Sequence, residues 1–350
     1  MKNLYITGTA GSAKTIMTLG LALKLKEEKI RVSYFKPVGI TTSTSITEDD
    51  DGILMKEVLG MKQPLDTIVP FITSPFYLTK FRQFGNPVDR IISAFEEISK
   101  DADIILIDGS IFPHAMASKN LDVISLSKQF KASILYMVKS ENDFNLDQAI
   151  FFNRHFKCQG INLIGNVFYN VPRQIIGKVE GVYMKILQDN GFQVLGIVPQ
   201  QTDLTAPTAE EFYQKLGGEI LTGEGKLNKP IEDVIVGAMS VESALSYLRR
   251  SNNTAVVIGG DRSDLALAAL ETNVNLLILT GGLYPNVKVL ARAEEKDIPV
   301  ILVYLDTFTT VERMTTISNR IKPSNKRAIE AAFKSVKEYV DWKYILEKLS

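Results

Sequence analysis

Met1-Lys-Asn-Leu-Tyr-Ile-Thr-Gly-Thr-Ala-Gly-Ser-Ala-Lys-Thr15 opens the chain. Its apolar piece Leu4–Ile6 runs into a turn of small residues. A stretch from about Lys14 to Glu28 follows, with Met17, Leu21 and Leu25 on one helical face. Strand, small-residue loop and helix in that order fit a phosphate-binding loop. Gly8-Thr-Ala-Gly-Ser-Ala-Lys14-Thr15 has the length of the G-x4-G-K-[ST] pattern. In such a loop successive backbone N–H groups and a helix N-terminus surround phosphate oxygens. The pattern assigns Gly8, Thr9, Gly11, Ser12, Ala13, Lys14 and Thr15 to nucleotide contacts, with Lys14 neutralising the terminal phosphates and the Thr15 hydroxyl offered to Mg2+. One position departs from it. Ala13 stands where glycine would precede the lysine, and alanine is expected there only with a negative φ and a methyl that clears the phosphate. A strand–helix turn that kept the shape and lost the ligand would read the same way.

Outward from this turn, Arg31–Phe35, Ile104–Ile107, Ile134–Val138, Leu163–Val167 and Val194–Val198 read as strands between amphipathic helices. Such alternation implies a parallel sheet with crossover helices. Ligands of open parallel sheets sit at the carboxyl ends of strands, so the loops after Ile6, Phe35 and Ile107 should converge. Thr41–Asp51 reads as a long polar connection. The rhythm breaks around Pro199–Leu227, where Gly217-Gly and Gly223-Glu-Gly are connection chemistry.

A second, smaller α/β unit follows. Its helices are expected near Val241–Arg250, Leu265–Glu271, Val287–Glu295 and Thr310–Ile317, and its strands at Ala255–Ile258, Leu276–Leu279 and Val300–Val303. Asn325–Leu349 reads as one helix with a packing stripe of Ile329, Phe333, Val336, Val340 and Leu346. The expected division is a P-loop domain over 1–205, a second domain over 206–322 and a C-terminal helix over 323–350. Four turns of the second unit carry Gly, Ser, Thr or Asp at strand-to-helix junctions: Gly237–Ser240, Gly259–Asp264, Thr280–Gly282 and Asp306–Thr310. They make Ser240, Gly260, Asp261, Arg262, Thr280, Gly281, Gly282, Asp306 and Thr307 candidates for a ligand cradle or a subunit contact, since helix starts favour anions. Read singly, Ser240, Asp261 and Thr309 are also plain capping residues.

Ile6-Thr-Gly-Thr, Lys14-Thr15, Tyr34-Phe-Lys36-Pro-Val and Ala102-Asp-Ile-Ile-Leu-Ile-Asp108-Gly109 together resemble the dethiobiotin synthetase family of P-loop enzymes, over residues 1 to about 200. The resemblance implies that Lys36 faces substrate and phosphate, a catalytic place shared with Lys14. It implies that Asp51 and Asp108 bind Mg2+ with Thr15. Two carboxylates at strand ends facing a triphosphate require a divalent cation between them. A solvated strand-end lysine at Lys36 and an exposed acidic loop at Asp49–Asp51 remain the simpler alternatives. Tyr169 falls where the family's base-reading asparagine aligns, with Asn170 next to it, so Asn170 is the candidate on the base side and base identity stays open. Thr73-Ser74-Pro75 echoes a family loop, but the biotin-pathway reaction is not implied. Asp261-Arg-Ser and Thr280-Gly281-Gly282 resemble the DRTGG domain over about 210–320. In this order the two resemble the N-terminal regulatory portion of long bacterial phosphotransacetylases. No acetyl-transferring domain is recognised in the sequence, so acetyl-phosphate chemistry is not carried over.

Composition narrows the rest. The 350 residues are 45% apolar, with 40 Lys plus Arg against 40 Asp plus Glu, which makes no bulk electrostatic case for nucleic acid. One cysteine, Cys158, and two histidines, His114 and His155, argue against a thiolate-clustered or His-rich metal site. No apolar run nears the ~18 residues of a membrane span. The expectation is a cytoplasmic homo-oligomer that binds ATP or another nucleoside triphosphate with Mg2+ and whose DRTGG-like unit is regulatory, sensing a small anionic ligand or pairing subunits. A ligase- or amidase-like enzyme acting on a small carboxylate and a scaffold with a degenerate P-loop are the competing readings.

Overall fold

In the computed structural model residues 2–9, 11–40, 49–74, 76–78, 87–200, 206–315 and 321–349 are described. The polar connection expected at Thr41–Asp51 lies outside them as far as residue 48, as does Pro75. β1 (Lys2–Gly8) is buried from Asn3 onward. Burial on both faces explains why it reads as a continuous run instead of an alternating one. It lies parallel between β5 (Ile104–Asp108) and β6 (Ser133–Val138). With β2 (Val32–Phe35), β7 (Leu163–Val171) and β8 (Val194–Pro199) these form a six-stranded sheet in the order β2-β5-β1-β6-β7-β8. Every pairing in it is parallel. The order folds back on both sides of β1, which places the carboxyl ends of β1, β2 and β5 side by side.

Helices α1 (Lys14–Glu27), α2 (Asp50–Leu59) and α3 (Leu65–Ile68) come from the first third of the chain. A small parallel pair, β3 (Val38–Ile40) with β4 (Phe71–Thr73), was not legible in the sequence, because each strand has only three residues. Helices α4 (Val88–Ser99), α5 (Val123–Gln129) and α6 (Asp143–Cys158) are crossovers of the large sheet. A last helical stretch runs through α7 (Ile176–Lys178), a π-helical turn at Val179–Tyr183 and α8 (Met184–Asp189).

Thr202–Arg320 forms a second compact unit, and Ile321–Ser350 returns to the first. Within the second unit, α9 (Ala209–Leu216) precedes β9 (Glu219–Thr222), an edge strand bracketed by Gly217 at φ 70°, Gly218 at φ 98° and Gly223 at φ 76°. The glycine-rich stretch that suggests connection alone therefore holds a strand. β10 (Asp233–Val236), β11 (Thr254–Gly259), β12 (Val274–Thr280) and β13 (Val300–Leu302) are parallel, and β9 closes the edge antiparallel. Helices α10 (Val241–Leu248), α11 (Ser263–Leu270) and α12 (Val287–Glu295) pack around Val256, Ile258, Leu277 and Leu279. Helices α9 and α13 (Thr307–Thr315) serve the other cluster, around Val257, Ile278 and Ile301.

The terminal stretch expected as one helix is two, α14 (Lys326–Tyr339) and α15 (Trp342–Leu349). Val340 turns extended, at φ −120° and ψ 133°, and bridges Gly196 of β8, while the Asp341 N–H donates to the Leu195 carbonyl at 2.7 Å. The Asp341 carboxylate then accepts from the Tyr344 N–H and restarts the helix. This hairpin covers α1. A β-carbon on Gly20 would stand 2.3 Å from the Ala332 carbonyl oxygen. Next to it the buried Lys24 pairs with Glu27 and Glu28, its ammonium 4.4 Å from the Trp342 ring centroid.

Gly20→Val should therefore cost about 1–3 kcal/mol of stability through overpacking. Gly177→Ala, where an added β-carbon meets nothing within 4 Å, should cost nothing. Urea unfolding of both variants checks this, and equal stabilities would remove the close helix crossing as a constraint.

Candidate nucleotide site

In the loop between β1 and α1, Gly11 has φ 69°. Ser12 closes the turn with its N–H at 3.3 Å and its hydroxyl at 2.7 Å from the Thr9 carbonyl. Gly8 is needed for packing, since a β-carbon there would sit 2.1 Å from the Met137 carbonyl oxygen of β6. Ala13 corrects the expectation. It caps α1 at φ 54° and ψ 40°, in the left-handed region, and does not take the negative φ that would spare its methyl. The loop thus holds a glycine-like conformation at a cost of about 1–2 kcal/mol for an L-residue. The first N–H groups of α1 have no intrahelical acceptors by helix geometry, and they open onto the carboxyl edge of the sheet.

Lys14 is half-buried and donates to the Thr9 carbonyl at 3.2 Å and, more distantly, to the Ile111 carbonyl at 3.5 Å. Burial lowers its pKa from the usual lysine value, and the Asp108 carboxylate partly offsets that. The Thr15 hydroxyl donates to Asp108 Oδ2 at 2.8 Å, and the Tyr34 hydroxyl to the same oxygen at 3.0 Å. The helix start and the ends of β2 and β5 are thereby tied to one carboxylate. Asp108 is 1% exposed, and its Oδ1 has no hydrogen-bond partner among the described residues. Burial, with the Asp51 charge nearby, pushes its pKa up to about 6 against the opposing pull of Lys36, Thr15 and Lys14.

Lys36 is held differently from expectation. Its ammonium donates to Asp49 Oδ1 at 3.0 Å, Asp49 Oδ2 at 2.8 Å and Asp51 Oδ2 at 2.7 Å. Burial alone would lower its pKa, but Asp51 and Asp49 outweigh that and raise it. It is therefore neither a solvated lysine nor a free one. The three aspartates divide their work. Asp49 is buried and caps α2 through the Gly52 N–H, Asp50 is exposed, and half-buried Asp51 faces Lys36. Of the three, Asp50 alone is exposed, and it opens α2 instead of lying in a loop. An Mg2+ ion asks for hard oxygen ligands, often only one or two from protein beside phosphate and water. The Thr15 hydroxyl and the orphaned Asp108 oxygen fit that demand, whereas Asp51 would first have to leave Lys36. Among the described residues no group of three His, Cys, Asp or Glu side chains is placed to hold a metal ion.

Asn170, the candidate for the base side, is exposed at φ 58°, at the irregular end of β7, on the same sheet edge as the loop. Tyr169 instead turns inward, 6% exposed, and hydrogen-bonds to Ser335 of α14. A residue that sequence reading missed lies across the loop. Lys139, directly after β6, donates its backbone N–H to Thr9 Oγ1 at 3.1 Å, and its ammonium would be 3.1 Å from a β-carbon on Gly11. Only the sheet order, with β6 beside β1, brings it there.

The second unit gathers its candidates at the carboxyl edge of its own sheet, but with their polar groups largely engaged. Ser240 caps α10 through the Ser243 N–H. Arg262 is paired with Asp264 at 3.1 Å and also reaches the Met239 carbonyl at 3.4 Å. Gly260 approaches the backbone so closely that a β-carbon would be 1.8 Å from the Leu283 carbonyl oxygen. The Gly260, Gly281 and Gly282 N–H groups donate to the carbonyls of Thr280, Leu305 and Val303. Thr280 and Thr307 share a hydrogen bond at 2.7 Å. Asp306, not Thr309, caps α13, and Arg262, not Asp261, holds the cap position of α11. Unforeseen in the sequence, the Tyr284 and Tyr304 hydroxyls both donate to the Glu219 carboxylate.

A parallel sheet with a strand–loop–Lys-Thr–helix turn at its centre defines a P-loop α/β protein, followed here by a second, smaller α/β unit. The chain belongs to the AAA domain family AAA_26, whose profile matches residues 2–208, and it carries a DRTGG domain at residues 211–317. Among curated relatives, the phosphate acetyltransferase of Nitratidesulfovibrio vulgaris is 24% identical over 97% of this chain and 50% of its own length. That of Synechocystis is 22% identical over 99% of this chain and 52% of its own length. The chain thus spans about half the length of these relatives. Solved structures with similarity include the CBS and DRTGG domains of the regulatory region of Clostridium perfringens pyrophosphatase, complexed with diadenosine tetraphosphate. That match has 19% identity and a TM-score of 0.30, covering 48% of this chain and 85% of that one. The MinD cell division protein of Aquifex aeolicus has 17% identity and a TM-score of 0.38, covering 58% and 84%. No helix among the described residues is long and apolar enough to cross a membrane.

Ala13→Gly should stabilise the first unit by about 0.5–1 kcal/mol, the left-handed strain removed less the added unfolded-state entropy. An unchanged or lowered melting temperature would show that the loop is not strained at Ala13. Asp108→Asn should also stabilise the nucleotide-free chain. Its folded-state pKa is raised, so its contribution is favourable at low pH and is lost as pH rises through about 6. The variant should melt about 2–4 °C above wild type at pH 8, the response to about 1 kcal/mol in a unit of this size, and the gap should narrow below pH 6 and close only near the ordinary carboxyl value of 3.8. A gap independent of pH would mean that Asp108 does not titrate as described.

Proposed function

We propose that the first unit binds a nucleoside triphosphate with Mg2+, that the DRTGG unit is regulatory, and that the output of nucleotide occupancy is conformational. One observation carries the reading: Asp108, buried with one oxygen that has no partner among the described residues, shares its other oxygen between Thr15 at the helix start and Tyr34 at the end of β2. A buried carboxylate left half-satisfied is costly, and a hard cation beside the loop would offset that cost. In this role Lys14 neutralises phosphate, the amides at the start of α1 orient it, Thr15 and Asp108 hold Mg2+, and Asn170 stands on the base side. An Mg2+ ion held there by Thr15 and Asp108 would supply positive charge against the phosphates.

Two features separate this from the competing readings. Lys36 is saturated by Asp49 and Asp51, so its ammonium is not available to position a substrate carboxylate, as a ligase would need. Ala13 keeps the glycine-like turn, so the loop has not relaxed into a degenerate form. The amides of the second unit's glycine turns are spent internally, which favours a conformational or contact role for that unit over capture of an anion by those amides.

Calorimetric titration of the whole chain with ATP, GTP and ADP, with and without Mg2+, tests the reading. Binding without appreciable turnover is expected. Lys14→Ala should weaken triphosphate binding on the order of 10–100-fold, the loss of charge-assisted hydrogen bonds of about 1.5–3 kcal/mol. Asp108→Asn should weaken Mg2+-dependent binding more than Mg2+-free binding. Unchanged affinity in Lys14→Ala would show that the loop is not the site, and steady hydrolysis stimulated by a small carboxylate would favour the ligase.

A further inference from the structure

We infer that Lys139 is a second phosphate-binding cation of the P-loop and that Glu141 is the internal anion it leaves when phosphate arrives. The inference rests on the nucleotide reading above and adds a residue outside the loop's own motif. The sheet order fixes its place. β6 lies parallel to β1, with Gly8 opposite Met137, so the chain leaving β6 must pass over the loop leaving β1. Two hydrogen bonds pin that passage: the Thr9 N–H to the Met137 carbonyl at 3.3 Å, and the Lys139 N–H to Thr9 Oγ1 at 3.1 Å. From there the side chain lies along Gly11. A β-carbon on Gly11 would be 3.7 Å from its Cδ, 3.5 Å from its Cε and 3.1 Å from its Nζ. Gly11 is the middle of the stretch whose amides cradle phosphates in a loop of this kind. Thr9 therefore carries two lysines, Lys14 on its carbonyl and Lys139 on its hydroxyl side.

The ammonium of Lys139 is paired with Glu141 Oε1 at 2.6 Å, with the two side chains 31% and 58% exposed. An ion pair that open to water contributes little, so exchange of the Glu141 carboxylate for a phosphate oxygen meets small resistance. A polyphosphate offers more charge than one carboxylate, in a loop where oriented amides already favour it. Lys139 needs to move only its terminal carbons to make the exchange, because its backbone is held on Thr9. Glu141, two residues on, then turns to solvent.

The two residues therefore predict opposite signs. In calorimetry of the whole chain with Mg·ATP, Lys139→Ala should weaken binding about tenfold or more, and Lys139→Arg should keep most of it. Glu141→Gln should tighten binding severalfold, because the competing anion is gone, and the double variant should match Lys139→Ala. A salt bridge that merely braces the loop would give losses of the same sign in both single variants, and that result overturns the inference. So does unchanged affinity in Lys139→Ala while Lys14→Ala is impaired. Absence of Mg·ATP binding by the wild type would overturn the nucleotide reading itself, and this inference with it. Thermal melting of each variant establishes that the fold is kept, and Lys139→Arg carries the test should Lys139→Ala unfold.

Discussion

One buried carboxylate organises the first unit. Asp108 ends a strand whose side chains are buried throughout, and it receives hydroxyls from the helix after β1 and from β2. Three chain segments far apart in sequence are thereby held at one edge of the sheet. The arrangement costs stability, because the charge sits away from water with one oxygen that no described residue satisfies. Cores do not retain such groups for packing alone, since an apolar replacement of similar shape would serve the core better. The sheet order supplies the positions, and Asp108 joins them through its contacts with Thr15 and Tyr34.

Lys36 shows the same economy at the neighbouring strand end. Its ammonium is buried among Asp49 and Asp51, which keeps it charged and turns it into a structural brace between β2 and α2. Asp49 does two tasks there, accepting from Lys36 and from the Gly52 N–H at the start of α2. A β-carbon on Gly39 would crowd the same carboxylate, at 2.8 Å from Oδ2, so the short β3–β4 ribbon is part of that brace. Lys36 and Lys139 meet carboxylates, Lys14 donates to carbonyls, and Asp108 keeps one oxygen without a hydrogen-bond partner among the described residues.

Much of this could be read from the sequence, for physical reasons that differ by element. The strands of the large sheet were legible because parallel strands buried on both faces are runs of Ile, Leu and Val, as in Ile104–Ile107. The loop was legible because its chemistry lies in consecutive residues. Helix ends were less so. Asp306 and Arg262 hold positions that local capping preference gave to Thr309 and Asp261, since a cap depends on where the preceding strand stops. Lys139 was hidden because no local pattern marks it and its role follows from strand order. The Tyr284–Glu219–Tyr304 clasp was hidden for the same reason, as was β9, whose four residues lie between glycines. The conformation of Ala13 could be posed as a question from sequence and answered only by its φ. The break at Val340 depends on a bridge to Gly196, a partner far upstream.

That bridge has a consequence for how the chain acquires its structure during synthesis. The helical hairpin that covers α1 is translated only after the whole of Thr202–Arg320. Until then Gly20 and the buried stem of Lys24 lie on an uncovered helix face, and the β8 edge at Gly196 is open to the wrong strand. The second unit is complete in its own sequence and can consolidate first, while the earlier one waits. Closing the first unit joins residues separated by the full length of the second, a long-range step that is slow for entropic reasons. The nascent first unit is therefore the part of the chain exposed to aggregation and to chaperone capture, although its residues leave the ribosome first.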